Sequence, residues 1–362
     1  MANPYRNGGF QYDHVFWQPC LLVIYARCTS QYAIESDLGL SYLERLQNTL
    51  VETALVLLID NKYEKMDYEI RSQGLCSPDM PHIKELLLNQ SLIIVNGIRA
   101  MNAVGLPIVP SVVYAGGIHL KPAGDLTGDL EEWASDSGEA GFIYFSMGSV
   151  VKPSDMPDKY KNVLIKVFAS LEHRVLWKWD ADHIDGLSDN VRLAKWLPQQ
   201  DVLGHPKLRL FITHGGLHST QEALYNGVAV LGLPLFSDQY GNMADVTARG
   251  LGLGVDWNNF TVEALLDKIT HIMNSDSMKY EAKRQSAIIR DQMISPKDNV
   301  NYWVDYAIRH KGAHHLKSPL RYMSWYHLYN VDVWLFFILT TIVMVMLTYK
   351  ILLSCIKCMF RR

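Results

Sequence analysis

Trp196-Leu-Pro-Gln-Gln200, Leu208-Arg-Leu-Phe-Ile-Thr213-His-Gly-Gly216 and Pro234-Leu-Phe-Ser-Asp-Gln239 belong to one stretch whose reading decides the fold. The apolar run 208–213 has the length and content of a buried strand, and His214-Gly215-Gly216 turns the chain into a helical pattern over Thr220 to Asn226. Gly227 stops that helix. A second apolar run, Val228 to Leu233, leads through the 234–239 loop into another helix that ends near Gly250. Strand, loop and helix in repetition predict an α/β fold with a parallel sheet. In such sheets ligands sit at the carboxyl ends of the strands, where His214, Asp238 and Gln239 fall. Working outward, Gly141-Phe-Ile-Tyr-Phe-Ser146 reads as the first strand of this unit and Met156 to Leu171 as its first helix. Arg174 to Trp179 and Val191 to Leu193 read as further strands.

The chemistry of the stretch suits a diphosphate. Two adjacent glycines let backbone amides approach an anion closely, and the helix behind them offers unpaired N–H groups and the positive end of its dipole. His214 adds a donor at the same place. Each residue also has a plainer reading. Gly215-Gly216 could simply make a tight turn, with His214 a hydrogen-bonded surface residue. Ser219 followed by Glu222 matches a capping box, Asp238 could cap the helix beginning near Tyr240, and Trp196 could be a core indole.

At these residues the chain resembles the membrane-bound animal UDP-glycosyltransferases, the glucosyl- and glucuronosyltransferases. Their signature block, from Trp-x-Pro-Gln to Asp-Gln, is matched without gaps. The resemblance implies that Trp196 stacks on uracil and that Gln199 holds base and ribose. His214, Gly215 and Gly216 would contact the diphosphate, Glu222 the ribose hydroxyls, and Asp238 with Gln239 the transferred sugar. Phe145-Ser146-Met-Gly148-Ser149 looks like the family's first phosphate-side turn. His218 departs from the pattern, standing where relatives carry a small, polar or aliphatic residue; it either adds a phosphate donor or points outward.

Composition agrees with a chain of two globular units: 362 residues, 49% apolar. With 34 basic and 37 acidic residues and no basic stripe, nothing points to nucleic acid as a partner. The five cysteines, Cys20, Cys28, Cys76, Cys355 and Cys358, form neither a disulfide framework nor a zinc pattern. Cys20 to Ala26 is too short and too late for a signal-peptide core. Residues 41–60 carry leucines at helical spacing, Pro81 to Leu88 reads as a short helix and Ser91 to Asn96 as a strand. Lys121 to Gly138, rich in Asp, Glu, Gly and Ser, reads as a linker. Val262 to His310 is helical in pattern. Val333 to Tyr349 is unbroken by charge and extends, with Lys350 snorkelling, to about Ile356, long enough to cross a bilayer. Lys357, Arg361 and Arg362 beyond it place the tail in the cytosol.

The expected architecture is therefore two Rossmann-like domains of the GT-B type, the first one truncated, with a C-terminal transmembrane helix. Residues 1–120 would be the remnant of an acceptor-binding domain, 121–138 the linker and 139–330 the UDP-sugar-binding domain. Residues 331–356 would be the membrane span and 357–362 a short basic tail. The resemblance implies transfer of glucose or glucuronic acid from a UDP-sugar to a small lipophilic acceptor, with inversion and residence in the endoplasmic reticulum. It asks for no metal and no cofactor, since the UDP-sugar is a co-substrate. The family's catalytic His-Asp dyad finds no match; His14 beside Asp13 lies in a different sequence setting. The alternative is a catalytically silent UDP-sugar-binding or partner-modulating isoform, or an incomplete gene model, with homo- or hetero-oligomers formed with full-length relatives left open. A dinucleotide-dependent oxidoreductase is disfavoured because no Gly-x-Gly-x-x-Gly follows a candidate strand.

Overall fold

The computed structural model of the chain describes residues 42–102, 109–149, 151–318 and 323–359. His14, Asp13, the Cys20 to Ala26 run, Cys28, Arg361 and Arg362 lie outside the described residues. Among the described residues a 31-residue helix, α1 (Tyr42–Ser72), comes first and runs well beyond the expected 41–60 span. Asp67 explains its far end: the carboxylate accepts from Arg71 Nε one turn on, at 2.6 Å, and from the backbone N–H of Ile83 at 3.1 Å. That second bond seats the start of α2 (Ile83–Leu88). A two-stranded parallel sheet follows, β1 (Ile93–Val95) and β2 (Val112–Tyr114), with α3 (Arg99–Asn102) between them in the chain.

The second sheet has six parallel strands: β3 (Phe142–Ser146), β4 (Arg174–Lys178), β5 (Val191–Ala194), β6 (Leu208–Thr213), β7 (Val230–Gly232) and β8 (Gly252–Gly254). Their spatial order is β5-β4-β3-β6-β7-β8. The chain winds outward from β3 to β5, then returns to lay β6 beside β3 and winds the other way. Strand order reverses between β3 and β6, so a crevice opens at their carboxyl ends. Both faces of the sheet are covered, which is why β3 is buried at every position and reads as an unbroken apolar run. Phe142, Tyr144, Leu176 and Phe211 pack on one face, with residues of α7 (Leu217–Tyr225) and α10 (Asp276–Arg290). Ile143, Phe145, Trp177, Leu210 and Ile212 pack on the other, with α5 (Asp158–Ala169) and α9 (Val262–Asn274).

Alternation along β6 breaks once. Phe142 pairs with Leu208 but Ile143 with Leu210, so Arg209 is an extra residue in the ladder. The bulge lets Leu208 and Phe211 share a face although three residues apart. Arg209 is exposed there and its guanidinium donates to the Glu139 carbonyl at 2.9 Å.

Residues 121–138, expected as a linker, include a helix, α4 (Gly128–Ser135), that is packed on the six-stranded sheet. Trp133 meets Phe142 edge-on at 5.8 Å, and its carbonyl accepts from Arg174. Two more helices, α6 (Gln199–Gly204) and α8 (Gln239–Ala248), carry site residues, and α11 (Pro296–Arg309) returns to the smaller sheet, where Asn299 Nδ2 donates to the Tyr114 carbonyl at 3.0 Å. After the short α12 (Trp325–Leu328) comes α13 (Val331–Met359), whose Val331–Lys357 segment is long and apolar enough to cross a membrane and has none of its apolar window buried.

Candidate functional site

The crevice between β3 and β6 is lined by the two turns that follow these strands. After β3, the Gly148 N–H donates to the buried Ser146 hydroxyl at 3.3 Å, and Ser149 is exposed. After β6, His214 puts its imidazole against both turns. A Cβ on Gly148 would stand 2.6 Å from His214 Cε1, and one on Gly216 would collide with Nε2. Gly148 also holds φ at +81°, a conformation that disfavours any other residue. The two glycines thus make room for the ring. Thr213 Oγ1 lies 3.3 Å from Nδ1, and a hydroxyl donating there leaves the proton on Nε2. Burial pulls the His214 pKa down; Asp238 works against this and Lys178 with it. The ring is therefore a neutral donor near pH 7.

Lys178, at the end of β4, was not singled out by sequence. Its ammonium donates to the Gly148 carbonyl at 3.1 Å and lies 4.8 Å from the centre of the Trp196 ring, and burial lowers its pKa. Trp196 is 78% exposed, so it is not a core indole; it presents an aromatic surface beside a cation at the mouth of the crevice.

A second group forms where α6 meets α7. The Tyr144 hydroxyl, kept protonated by burial, donates to Gln199 Oε1 at 3.0 Å. That fixes the carboxamide orientation, and Gln199 Nε2 donates to Glu222 Oε2 at 2.6 Å and to Ser219 Oγ at 3.1 Å. The capping-box alternative fails here. Gly216 is the residue before the first turn of α7, and Ser219 lies buried inside the helix. Glu222 is 9% exposed, and burial raises its pKa while Gln199 opposes the rise. A buried carboxylate held by one amide, with Oε1 3.8 Å from His119 Nε2, has acceptor capacity to spare.

Asp238 precedes α8 without capping it through its side chain. Its Oδ2 accepts instead from Asn242 Nδ2 at 2.9 Å, and the same amide donates to the Gly215 carbonyl at 3.0 Å, tying the 234–239 loop to the His-Gly-Gly turn. Ser237 holds φ at +60°, so the loop is bent sharply just before Asp238. The carboxamide oxygen of Gln239 accepts from the backbone N–H groups of Leu235 and Phe236 at 2.7 and 3.1 Å; its amide nitrogen is what remains for a ligand. His218 is exposed and lies toward the smaller sheet: its Nε2 pairs with Asn96 Nδ2 at 2.8 Å, and its ring lies 4.6 Å from that of His119. Asn96 and His119 come from the smaller sheet and carry no motif that would have marked them.

A family model for UDP-glucuronosyl and UDP-glucosyl transferases matches residues 28–362. The chain belongs to this family. It is 34% identical over 315 residues to UDP-glycosyltransferase UGT5 of Dactylopius coccus, covering 84% of this chain and 58% of that protein. It is 38% identical over 251 residues to UDP-glucuronosyltransferase 2B1 of Rattus norvegicus, covering 69% of this chain and 47% of the relative. UDP-glucuronosyltransferase 2B7 of Homo sapiens is 38% identical over 249 residues, with the same coverage of 69% and 47%. The chain thus spans about half the length of the curated relatives it matches. Among solved structures, the glycotransferase of kitacinnamycin superposes with a TM-score of 0.53 at 20% identity, over 67% of this chain and 61% of that one. The fold is accordingly the GT-B type expected from sequence, with parallel sheets and one C-terminal apolar helix. For this UDP-glycosyltransferase family member, the two turns and the Gln199–Glu222 pair stand at the switch point where an α/β sheet takes a ligand.

Proposed function

We propose that the site binds the UDP moiety of a UDP-sugar, and that the protein transfers glucose or glucuronic acid from it to a small lipophilic acceptor with inversion. The observation that carries this reading is the Tyr144–Gln199–Glu222 relay beside the exposed Trp196 ring. A stacking surface, an oriented carboxylate and two glycine-lined turns answer the three parts of a nucleoside diphosphate: base, ribose and phosphates. Trp196 and Gln199 take the base. Glu222 accepts from ribose hydroxyls. His214, the 215–216 amides and the Ser146–Ser149 turn face the diphosphate, with Lys178 adding charge. Asp238 and the Gln239 amide nitrogen meet the sugar. The reaction as read needs no metal.

We further propose that residues 139–330 are the donor-binding unit, that the smaller sheet belongs to the acceptor side, and that α13 anchors the protein in the endoplasmic reticulum membrane. Titration calorimetry on the full chain tests the site. UDP should bind in preference to ADP, and His214→Ala should weaken UDP by about 1 to 3 kcal/mol, the range for a buried or charge-assisted hydrogen bond. Equal affinity for UDP and ADP would refute the reading. Competition between UDP-glucose and UDP-glucuronic acid then identifies the sugar.

A further inference from the structure

Where the two sheets meet, four polar atoms are buried without a hydrogen-bond partner: Asn96 Oδ1, both ring nitrogens of His119, and Gln221 Oε1. Asn96 follows β1 and His119 lies beyond β2, so both sit at the carboxyl end of the smaller sheet. They face one side of α7, formed by His218, Gln221 and Glu222 at helical spacing. Gln221 Nε2 donates to the Asn96 carbonyl at 3.2 Å, so the helix and the sheet end are already in contact. The Gln200 amide donates to the His119 carbonyl at 3.1 Å, which holds the backbone of His119 over α6.

Within this junction, His119 Nε2 stands 3.8 Å from Glu222 Oε1. That is about 1 Å beyond a hydrogen bond. The other carboxylate oxygen, Oε2, is already held by Gln199. An imidazole whose two ring nitrogens are buried with neither paired is an incomplete arrangement, and an acceptor that could complete it belongs to the residue read as the ribose ligand. We propose that His119 is the positioning residue for Glu222: its ring N–H closes on Oε1 when the nucleotide seats, and holds the carboxylate oriented toward the ribose hydroxyls. The inference rests on the donor-site reading above.

Electrostatics supports the pairing. Burial first, and then the neighbouring His218 side chain, lower the His119 pKa, against a weaker upward pull from the His218 backbone. The ring is then a neutral imidazole with one N–H to give. Burial raises the pKa of Glu222, and a donor on Oε1 opposes that rise. The groups facing the carboxylate are His119, His218, Gln199 and the Tyr144 phenol. His119 approaches Oε1 from the side of the smaller sheet, so ribose recognition would require both sheets to be seated.

The test uses the purified 362-residue chain in detergent, with UDP, 2′-deoxy-UDP and 3′-deoxy-UDP as calorimetric probes. Wild type should favour UDP over at least one deoxy nucleotide. His119→Ala should lower UDP affinity about tenfold, the effect of one hydrogen bond to a charged group, and leave that deoxy nucleotide within about twofold. His119→Gln, which restores an N–H donor at similar volume, should recover most of the loss. The acid limb of UDP binding should move to higher pH in His119→Ala, because Glu222 then loses a donor that favours its ionised form. Equal losses for all three nucleotides, no loss of UDP affinity, or failure of His119→Gln to recover binding would overturn the inference alone. Wild-type indifference between UDP and ADP would overturn the donor-site reading and this inference with it.

Discussion

Replacing Glu222 with alanine should separate nucleotide binding from fold stability. The carboxylate is 9% exposed, accepts one hydrogen bond from Gln199 at 2.6 Å, and has a raised pKa whose first cause is burial. A carboxyl whose folded pKa lies above its unfolded value makes a negative contribution to stability that is fully present above the folded pKa. That cost is relieved as pH falls through it. Glu222→Ala removes the buried charge, and Gln199 Nε2 keeps Ser219 Oγ as a partner at 3.1 Å. Opposing this is a small cavity and one lost hydrogen bond, about 1 kcal/mol together with the charge relief. The fold should therefore change by no more than about 1 kcal/mol in either direction. UDP binding, in contrast, loses a charge-assisted acceptor for the ribose and should weaken by about 1.5 to 3 kcal/mol, roughly 10- to 150-fold. Denaturant unfolding and calorimetry on the same preparation read both quantities. The pH dependence adds a check: wild-type UDP affinity should fall on acidification from a pH above the ordinary glutamate range, and Glu222→Gln should bind more weakly but lack that limb. Parallel loss of binding and stability would refute the reasoning, since it would make Glu222 a structural carboxylate.

Gly148→Ala should destabilise the fold by about 1 to 2 kcal/mol, because the residue holds φ at +81°. Its Cβ would also displace the His214 ring, so UDP affinity should fall by about tenfold or more in calorimetry; unchanged affinity would remove His214 from the site. The full chain should stay with membranes through an alkaline carbonate wash, and a version ending at Asn330 should be released. Since none of the apolar window of α13 packs on the rest of the chain, the shortened version should keep its UDP affinity.

Much of this site is legible in the sequence because the forces that make it are local. The run from Leu208 to Thr213 is apolar because both faces of its strand are covered, and the glycine pair after it marks a turn in any context. The same apolar logic located Phe142–Ser146 and Arg174–Lys178, and the charge-free run after Asp332 marked the membrane-length helix. The short strand Gly252–Gly254 gave no such signal, since two glycines and a leucine carry no period; it exists because Val230 to Gly232 offers it an open edge. The bulge at Arg209 is likewise invisible until Phe142 and Ile143 are paired. Local pattern alone also left Glu222 open to a capping role. Tertiary structure decided against it by starting the helix at Leu217 and bringing Gln199 to the carboxylate. The composition of the chain said nothing about Lys178 beside Trp196, or about Asn96 and His119 against α7. The first contact needs β4 laid beside β5, and the others join residues about a hundred positions apart that come together only where one sheet is seated on the other. Residue types and their spacing thus determined which chemistry the site can hold, and the packing of sheets determined which atoms are left to carry it out, because burial and long-range pairing set the charge, orientation and free valences of each group.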